Sequence, residues 1–317
     1  GNKLRVVWGL RVEDFDQLVG SVRQSDPRHV NTRVTDFLPG VNATYKLNGK
    51  TNIRLSGSQT VVRPEFRELA PFNFYDFELN AAVTGFPALQ RTKITNADLR
   101  YEFYPRAGET FNIGGFYKYF QLPIEQFFFQ AGGGASSFQF GNPEAAQAVG
   151  AELEFRKRLD FLPLLRNFTF QTNLAYIHSR IVVNDSLRGL GVRQDRPLQG
   201  QSPYVINAAL MYDHQKAGLN ATLLFNQIGR RIAFVGNERQ NVPDIWEAPR
   251  PVMDFQVAKK LVDGKAEIRL NVSDILNRRL YFYQNADGEE AFSKGNDPIR
   301  FSRRFGTNIN ISFGYNF

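Results

Sequence analysis

A chain of 317 residues, 42% of them apolar, has room for one large domain or two ordinary ones and is too apolar for disorder. It has no cysteine, which excludes disulfides and thiolate metal sites, and no stretch approaches the roughly 18 apolar residues of a membrane-spanning helix. The net charge of +8 is spread along the chain with no basic run interleaved with aromatics, so no nucleic-acid partner is expected.

What remains is β architecture, favoured by 29 Phe, 12 Tyr and 26 Gly. The signal has period 2 from one end to the other. Leu4, Val6, Trp8, Leu10 and Val12 alternate with Arg5, Val7, Gly9 and Arg11. The same pattern returns in Val41/Ala43/Tyr45/Leu47, Ala97/Leu99/Tyr101/Phe103 and Val149/Ala151/Leu153/Phe155. It continues in Tyr204/Ile206/Ala208/Leu210/Tyr212, Leu219/Ala221/Leu223/Phe225 and Ala266/Ile268/Leu270/Val272. The last segment is the clearest: Ile309, Ile311, Phe313, Tyr315 and Phe317 are separated by Asn310, Ser312, Gly314 and Asn316. About twelve strands are expected, centred near residues 8, 40, 56, 98, 116, 150, 174, 208, 226, 255, 271 and 309.

The connections alternate in length. Asn48-Gly49, Arg106–Glu109, Gln215–Gly218 and Asp263-Gly264 read as tight turns, and Leu159–Asn167 as a longer one on the same side. Opposite them lie a modest connection near Ser21–Asn31 and long ones near 64–90, 126–140, 184–201, 236–248 and 284–297. Long amphipathic strands with short turns on one rim and long loops on the other are the pattern of an outer-membrane barrel. In hydrocarbon every backbone polar group needs an internal partner, which strands achieve only by closing into a ring. Tyr101, Phe103 and Tyr104 on one rim, and Phe127, Phe128 and Phe129 on the other, are expected to form interfacial girdles. Nothing divides the chain, so residues 1–317 are expected to form one domain. The opening Gly1-Asn2-Lys3 runs straight into a strand without a signal peptide, and the N-terminal part of a longer protein is expected to be missing.

Several segments resemble the barrels of TonB-dependent receptors of the Bacteroidetes type. Ser58–Leu69 is similar to their S-x-T-x-x-R-P-x-F-x-E-L stretch, and Leu99–Pro105 with Phe116-Tyr117-Lys118 to the hairpin that follows. Arg196–Tyr204 resembles another recurrent stretch, and Val272–Asn277 the V-x-N-L-F-N signature, with Asp274 where Asn is usual. The terminal Tyr315 and Phe317 resemble an aromatic insertion signal read by the outer-membrane assembly machinery. The resemblance implies a transmembrane antiparallel up-and-down β-barrel of about 22 strands, of which this chain is the C-terminal part. The plug domain and the N-terminal strands would then be absent from the chain. It implies active uptake of a scarce nutrient such as a metal chelate, glycan, peptide or vitamin. The implied partners are the protein's own plug, the TonB complex, outer-membrane lipid and lipopolysaccharide, and other outer-membrane or surface proteins.

Two groups of candidate residues follow. Arg54, Asp98, Arg100, Glu102, Lys118, Glu152, Glu154, Arg156, Glu267 and Arg269 fall on polar faces, and are expected in the lumen either as plug contacts or simply solvated. Arg67, Glu68, Phe72, Phe74, Tyr75 and Phe77 crowd one loop, which is expected either to meet a ligand or to fold inward. No cofactor or metal site and no enzyme is expected. His29, His178 and His214 lack ligand spacing, Gly132–Gly134 lacks the context of a phosphate loop, and Glu289/Glu290 is an ordinary acidic pair. The alternatives to uptake are a barrel subunit of a larger outer-membrane complex and a passive pore.

Overall fold

The computed structural model describes residues 3–21, 23–26, 29–77, 81–130, 136–286, 289 and 291–316. All twelve expected strands are present, joined in sequence order in one antiparallel sheet. They are β1 (Leu4–Gly20), β2 (His29–Asn48), β3 (Thr51–Val62), β4 (Thr92–Phe103), β5 (Thr110–Gln121) and β6 (Ala145–Arg158). Then come β7 (Phe168–Val182), β8 (Tyr204–His214), β9 (Leu219–Ile228), β10 (Val252–Leu261), β11 (Ala266–Ser273) and β12 (Asn308–Tyr315). Among the described residues β1 and β12 do not pair with each other, so the sheet has two free edges. Among the described residues no helix is long and apolar enough to cross a membrane.

Register explains the alternation. Leu55 stands opposite Leu99, Leu153 opposite Leu174, and Leu210 opposite Leu223, so one side of the sheet is a continuous apolar surface. Because the pleat has a period of two, the polar residues between them share the other side. An aromatic belt crosses the apolar side near the short turns, where Phe111 and Phe155 stand 6.5 Å apart, Phe155 and Phe170 6.3 Å, and Phe168 and Tyr212 4.9 Å. Tyr101 and Phe103 lie in register with it. Tyr104 departs from the expected girdle: it turns to the polar side beside Glu102, because it is an even-numbered neighbour in the same pleat.

The short-turn rim is tied by charge. Glu109 is buried and takes Arg106 Nη2 at 2.8 Å and Lys157 Nζ at 3.2 Å, while the backbone N–H of Arg158 donates to it at 3.2 Å. Arg106 also pairs with Asp160 across two turns. The hydrogen bond from Arg106 is the main cause holding both the Glu109 and Asp160 carboxyls below the ordinary carboxylate range. Depressed acid groups stabilise the fold at every pH above their unfolded values, and that contribution is lost only as pH falls through the folded values. The two turns are therefore expected to stay joined at about pH 4, where ordinary carboxylates are half protonated. Hydrogen exchange of residues 104–110 and 159–167 across an acid titration checks this. Glu109→Gln should exchange faster there than the unaltered protein at each pH above about 4, when both are compared at the same pH.

The long connections are not irregular. They contain short strands that form two four-stranded sheets. One runs Asn73–Asp76, Ala81–Thr84, Ser136–Gly141, Glu125–Gln130, with Ala81–Thr84 parallel to Ser136–Gly141. The other runs Arg231–Phe234, Ile245–Glu247, Leu280–Gln284, Ile299–Arg303. A bridge between Phe127 and Val235, with Phe128 N–H donating to Val235 O at 2.8 Å, joins the two into one layer. The hydrophobic core sits there, packed against the loop ends of the wall strands, because farther along the wall a residue faces lipid or lumen. Phe127, Ile181, Val192, Ile232 and Val235 form one cluster, and Ala81, Phe128, Phe138, Ile245 and Phe282 another. Phe127 and Phe128 are thus core residues and not a girdle, since their strand is covered on both faces. The side chain of Phe129 lies outside the described residues, as do Gly132–Gly134, Glu290 and Phe317.

Candidate functional site: the polar wall and the loops above it

The polar side of the sheet carries the expected charges, and most have a partner on the same strand or on one nearby. Arg54 Nε lies 3.2 Å from Glu102, whose side chain is 3% exposed, and Asn52 Nδ2 donates to Glu102 at 3.5 Å. Arg100 stands 3.5 Å from Glu152, and Arg269 pairs with Glu267 at 2.6 Å. Ser56 donates to Asp98 at 3.3 Å, and Lys118 lies 5.8 Å from the centre of the Phe116 ring. Arg156 is exposed in register with Gln171. Mutual pairing of mixed charges leaves no single-sign stripe along the wall.

Sequence reading missed the element that joins these charges. Asn52, Glu102, Asn112, Glu154, Asn173, Asn207 and Asn226 are successive register partners from β3 to β9, so one amide-and-carboxylate row crosses seven strands. Asn112 Nδ2 donates to Glu154 at 2.9 Å, and Asn226 Nδ2 to Asn207 Oδ1 at 2.7 Å. The carbonyl oxygen of Asn112 is buried without a partner among the described residues. Each Asn is visible in the sequence, but a row is a property of register and could not be read from spacing within one strand.

The loop candidates separate into two sets. Phe74 packs on the cluster of Val19, Leu69 and Leu89, and Arg67 lies 5.6 Å over its ring. Phe72, Tyr75 and Phe77 face outward, Phe77 with 85% of its surface exposed and 5.0 Å edge-on to Tyr75. Glu68 closes a capping box with Glu65, its Oε2 accepting from the Glu65 N–H at 2.8 Å, and burial pushes its carboxyl above the ordinary range. The short helix Phe66–Leu69 is pinned by Gly85, where a Cβ would run into the carbonyl oxygens of Ala70 and Arg67. Gly85→Ala is expected to destabilise this loop by about 1–3 kcal/mol, the usual cost of overpacking. Faster proteolysis between 63 and 90, with the barrel intact, would show it.

Three of the motif stretches prove to tie loops to wall strands or to one another. In the segment ending at Leu69, Arg63 meets Glu13 at 2.6 Å and Asp36 at 2.9 Å. In Arg196–Tyr204, Arg196 is bidentate to Glu125 at 3.0 and 2.6 Å, with both side chains fully buried. Gln199 bridges the two loop sheets: it accepts from Gln126 N–H at 2.7 Å and donates to Ala233 O at 2.7 Å. Asp274, where Asn is usual in the resemblance, has φ 53° and pairs with Arg250 at 2.8 Å. Among the described residues no group of His, Asp and Glu could hold a metal ion.

Residues 1–315 match the family described as "Outer membrane protein beta-barrel family". Solved structures of the same fold include the copper transporter OprC, 18% identical with a TM-score of 0.66 over 100% of this chain and 46% of that one. The siderophore receptor PirA from Acinetobacter baumannii is 15% identical, TM-score 0.62, over 99% and 44%. A ferric enterobactin receptor, PfeA from Pseudomonas aeruginosa, is 14% identical, TM-score 0.58, over 99% and 45%. The chain therefore spans less than half the length of these structures. No curated protein matches by sequence.

Proposed function

Because the chain belongs to the outer membrane protein β-barrel family and so lies in the bacterial outer membrane, we propose that it is the C-terminal barrel part of a TonB-dependent transporter for a scarce nutrient. The family and its structural neighbours are barrel proteins, receptors and transporters and not enzymes. In this reading further strands continue the free edges of β1 and β12, since an unpaired edge in hydrocarbon leaves its N–H and C=O groups without partners. An N-terminal plug fills the ring.

The observation that carries the proposal is the polar wall. A channel that selects ions by charge would line itself with one sign, whereas here Arg54, Arg100 and Arg269 are matched to Glu102, Glu152 and Glu267. Matched charges and the amide row suit a protein partner in the lumen, and a plug would supply the donor that the buried Asn112 carbonyl lacks. Asp98, Lys118, Glu154 and Arg156 belong to the same contact surface. At the loops, Arg67, Phe72, Tyr75 and Phe77 would meet the arriving ligand, with Phe74 and Glu68 holding them in place. Tyr315, 44% exposed near the end of β12, would serve the insertion signal together with Phe317. The copper, siderophore and ferric enterobactin proteins named above make metal complexes the first ligands to try.

The test is uptake of labelled ferric siderophores and copper by cells carrying or lacking the full-length gene. Gene-dependent uptake that stops when the proton-motive force is dissipated supports the proposal. Gene-dependent uptake that continues after dissipation would make the protein a passive pore. Co-purification with partners and no gene-dependent uptake of any ligand class would favour the subunit reading.

A further inference from the structure

The net charge of +8, scattered along the sequence, is gathered in space. The five short connections, 46–50, 104–109, 157–167, 213–218 and 259–265, hold ten lysines and arginines against four carboxylates. Short turns of an outer-membrane barrel face the periplasm, so the periplasmic rim is basic. One of the five is also apolar. The turn after β6 reads Phe161-Leu162-Pro163-Leu164-Leu165, and Leu164, Phe161 and Leu162 are 90%, 65% and 46% exposed. Two residues suffice to join β2 to β3, whereas nine lie between β6 and β7.

These side chains stand past the lipid. Two residues beyond Phe111 of the aromatic belt is Glu109, and two beyond Phe155 is Lys157, 3.2 Å from Glu109. Arg106 joins Glu109 to Asp160, the residue before Phe161. A layer of ions belongs outside hydrocarbon, and the apolar residues follow that layer in the chain, in periplasmic water.

The turn is fixed at its base, middle and end. Leu159 N–H donates to Phe168 O at 2.9 Å. Pro163–Leu165 makes one 3-10 turn, with Leu165 N–H on Leu162 O at 2.9 Å. Asp213 N–H donates to Asn167 O at 2.9 Å and ties the turn to β8. A fixed apolar cluster in water marks a contact site, and side chains already ordered lose little freedom on binding.

The surroundings choose the partner. Arg166 and Lys216 are exposed and have no side-chain partner among the described residues. An apolar centre within a basic rim is the complement of an apolar pocket within an acidic rim. We infer that the turn Leu159–Asn167 docks a periplasmic protein, with Phe161 and Leu164 seated in an apolar pocket and Arg166 and Lys216 against the carboxylates around it. The inference rests on the outer-membrane location and not on the transport reading, so either can fail alone.

In intact cells the full-length protein carries the photo-reactive p-benzoylphenylalanine in place of Leu164. Illumination should give one discrete protein adduct. The same label in place of Leu190, 51% exposed among the long loops, should not give it. The captured protein, identified by mass spectrometry and purified, is then titrated with the full-length barrel protein in detergent. Phe161→Ser/Leu164→Ser should weaken binding by roughly tenfold or more, as loss of central anchors does. Arg166→Glu/Lys216→Glu should slow association and reduce its dependence on salt, while Arg166→Lys leaves both unchanged. Folding of each variant is confirmed by heat-modifiable gel mobility. If the double serine variant does not fold, the charge variants decide alone. No adduct, adducts only with phospholipid, with the protein's own N-terminal part or with a second copy, or binding unchanged in the variants would overturn the inference.

Discussion

Replacing Arg196 by alanine is expected to destabilise the loop layer by about 3–5 kcal/mol, the cost of leaving one partner of a buried ion pair alone. Glu125 would keep a charge in a place with no measurable exposure, and its Oε1 would retain only the N–H of Gln199 at 2.9 Å. The damage should spread, because three loops meet at this pair. Glu125 opens the strand Glu125–Gln130, Arg196 belongs to the connection from β7 to β8, and Gly200 N–H donates to Ile232 O at 2.8 Å in the third loop. Hydrogen exchange should therefore quicken together in residues 125–130, 196–201 and 231–235 while β1–β3 stay protected. Arg196→Lys should rescue little, because an ammonium cannot reproduce two parallel bonds to one carboxylate. The double change Glu125→Leu/Arg196→Met should cost far less than either alanine, since it removes both charges at once. If Arg196→Ala leaves exchange in all three segments unchanged, the pair does not hold the layer together.

The second large effect is expected at Asp36. Its carboxylate is 1% exposed and takes Arg63 Nη2 at 2.9 Å and Arg91 Nε at 2.8 Å. Arg63 also reaches Glu13 at 2.6 Å and lies 4.6 Å over the ring of Phe15. One aspartate on β2 thus ties β1, the end of β3 and the start of β4. Asp36→Ala should cost about 3 kcal/mol, less than Arg196→Ala because the two arginines, 18% and 26% exposed, can recover water. Asp36→Asn should lose less still, since one oxygen acceptor remains. The readout is protease cleavage between residues 62 and 92, with the short-turn rim as an internal control. Intact protection of that stretch in Asp36→Ala would show that the helix Phe66–Leu69 and Gly85 hold the loop without the ion pairs.

The wall was legible in the sequence and the loops were not. A strand that faces lipid on one side and water or protein on the other must alternate, so Ile309/Ile311/Phe313 and Asn310/Ser312/Gly314 announce their faces without any knowledge of the neighbours. Asn48-Gly49 and Gln215–Gly218 likewise carry their turns locally, the latter with Gly218 at φ 57°. Strand positions, turn positions and sidedness therefore followed from residue order alone. What only the tertiary structure decided are contacts between residues distant in sequence. Phe127 and Phe128 look like a girdle until strand Arg231–Phe234 covers them, and Glu125 is an unremarkable acid until Arg196, 71 residues away, reaches it. The amide row from Asn52 to Asn226 exists because seven strands pair in one register. A repeating environment writes its period into the sequence. A buried pair or a shared row depends on how separate loops and strands are brought together, which no local pattern records.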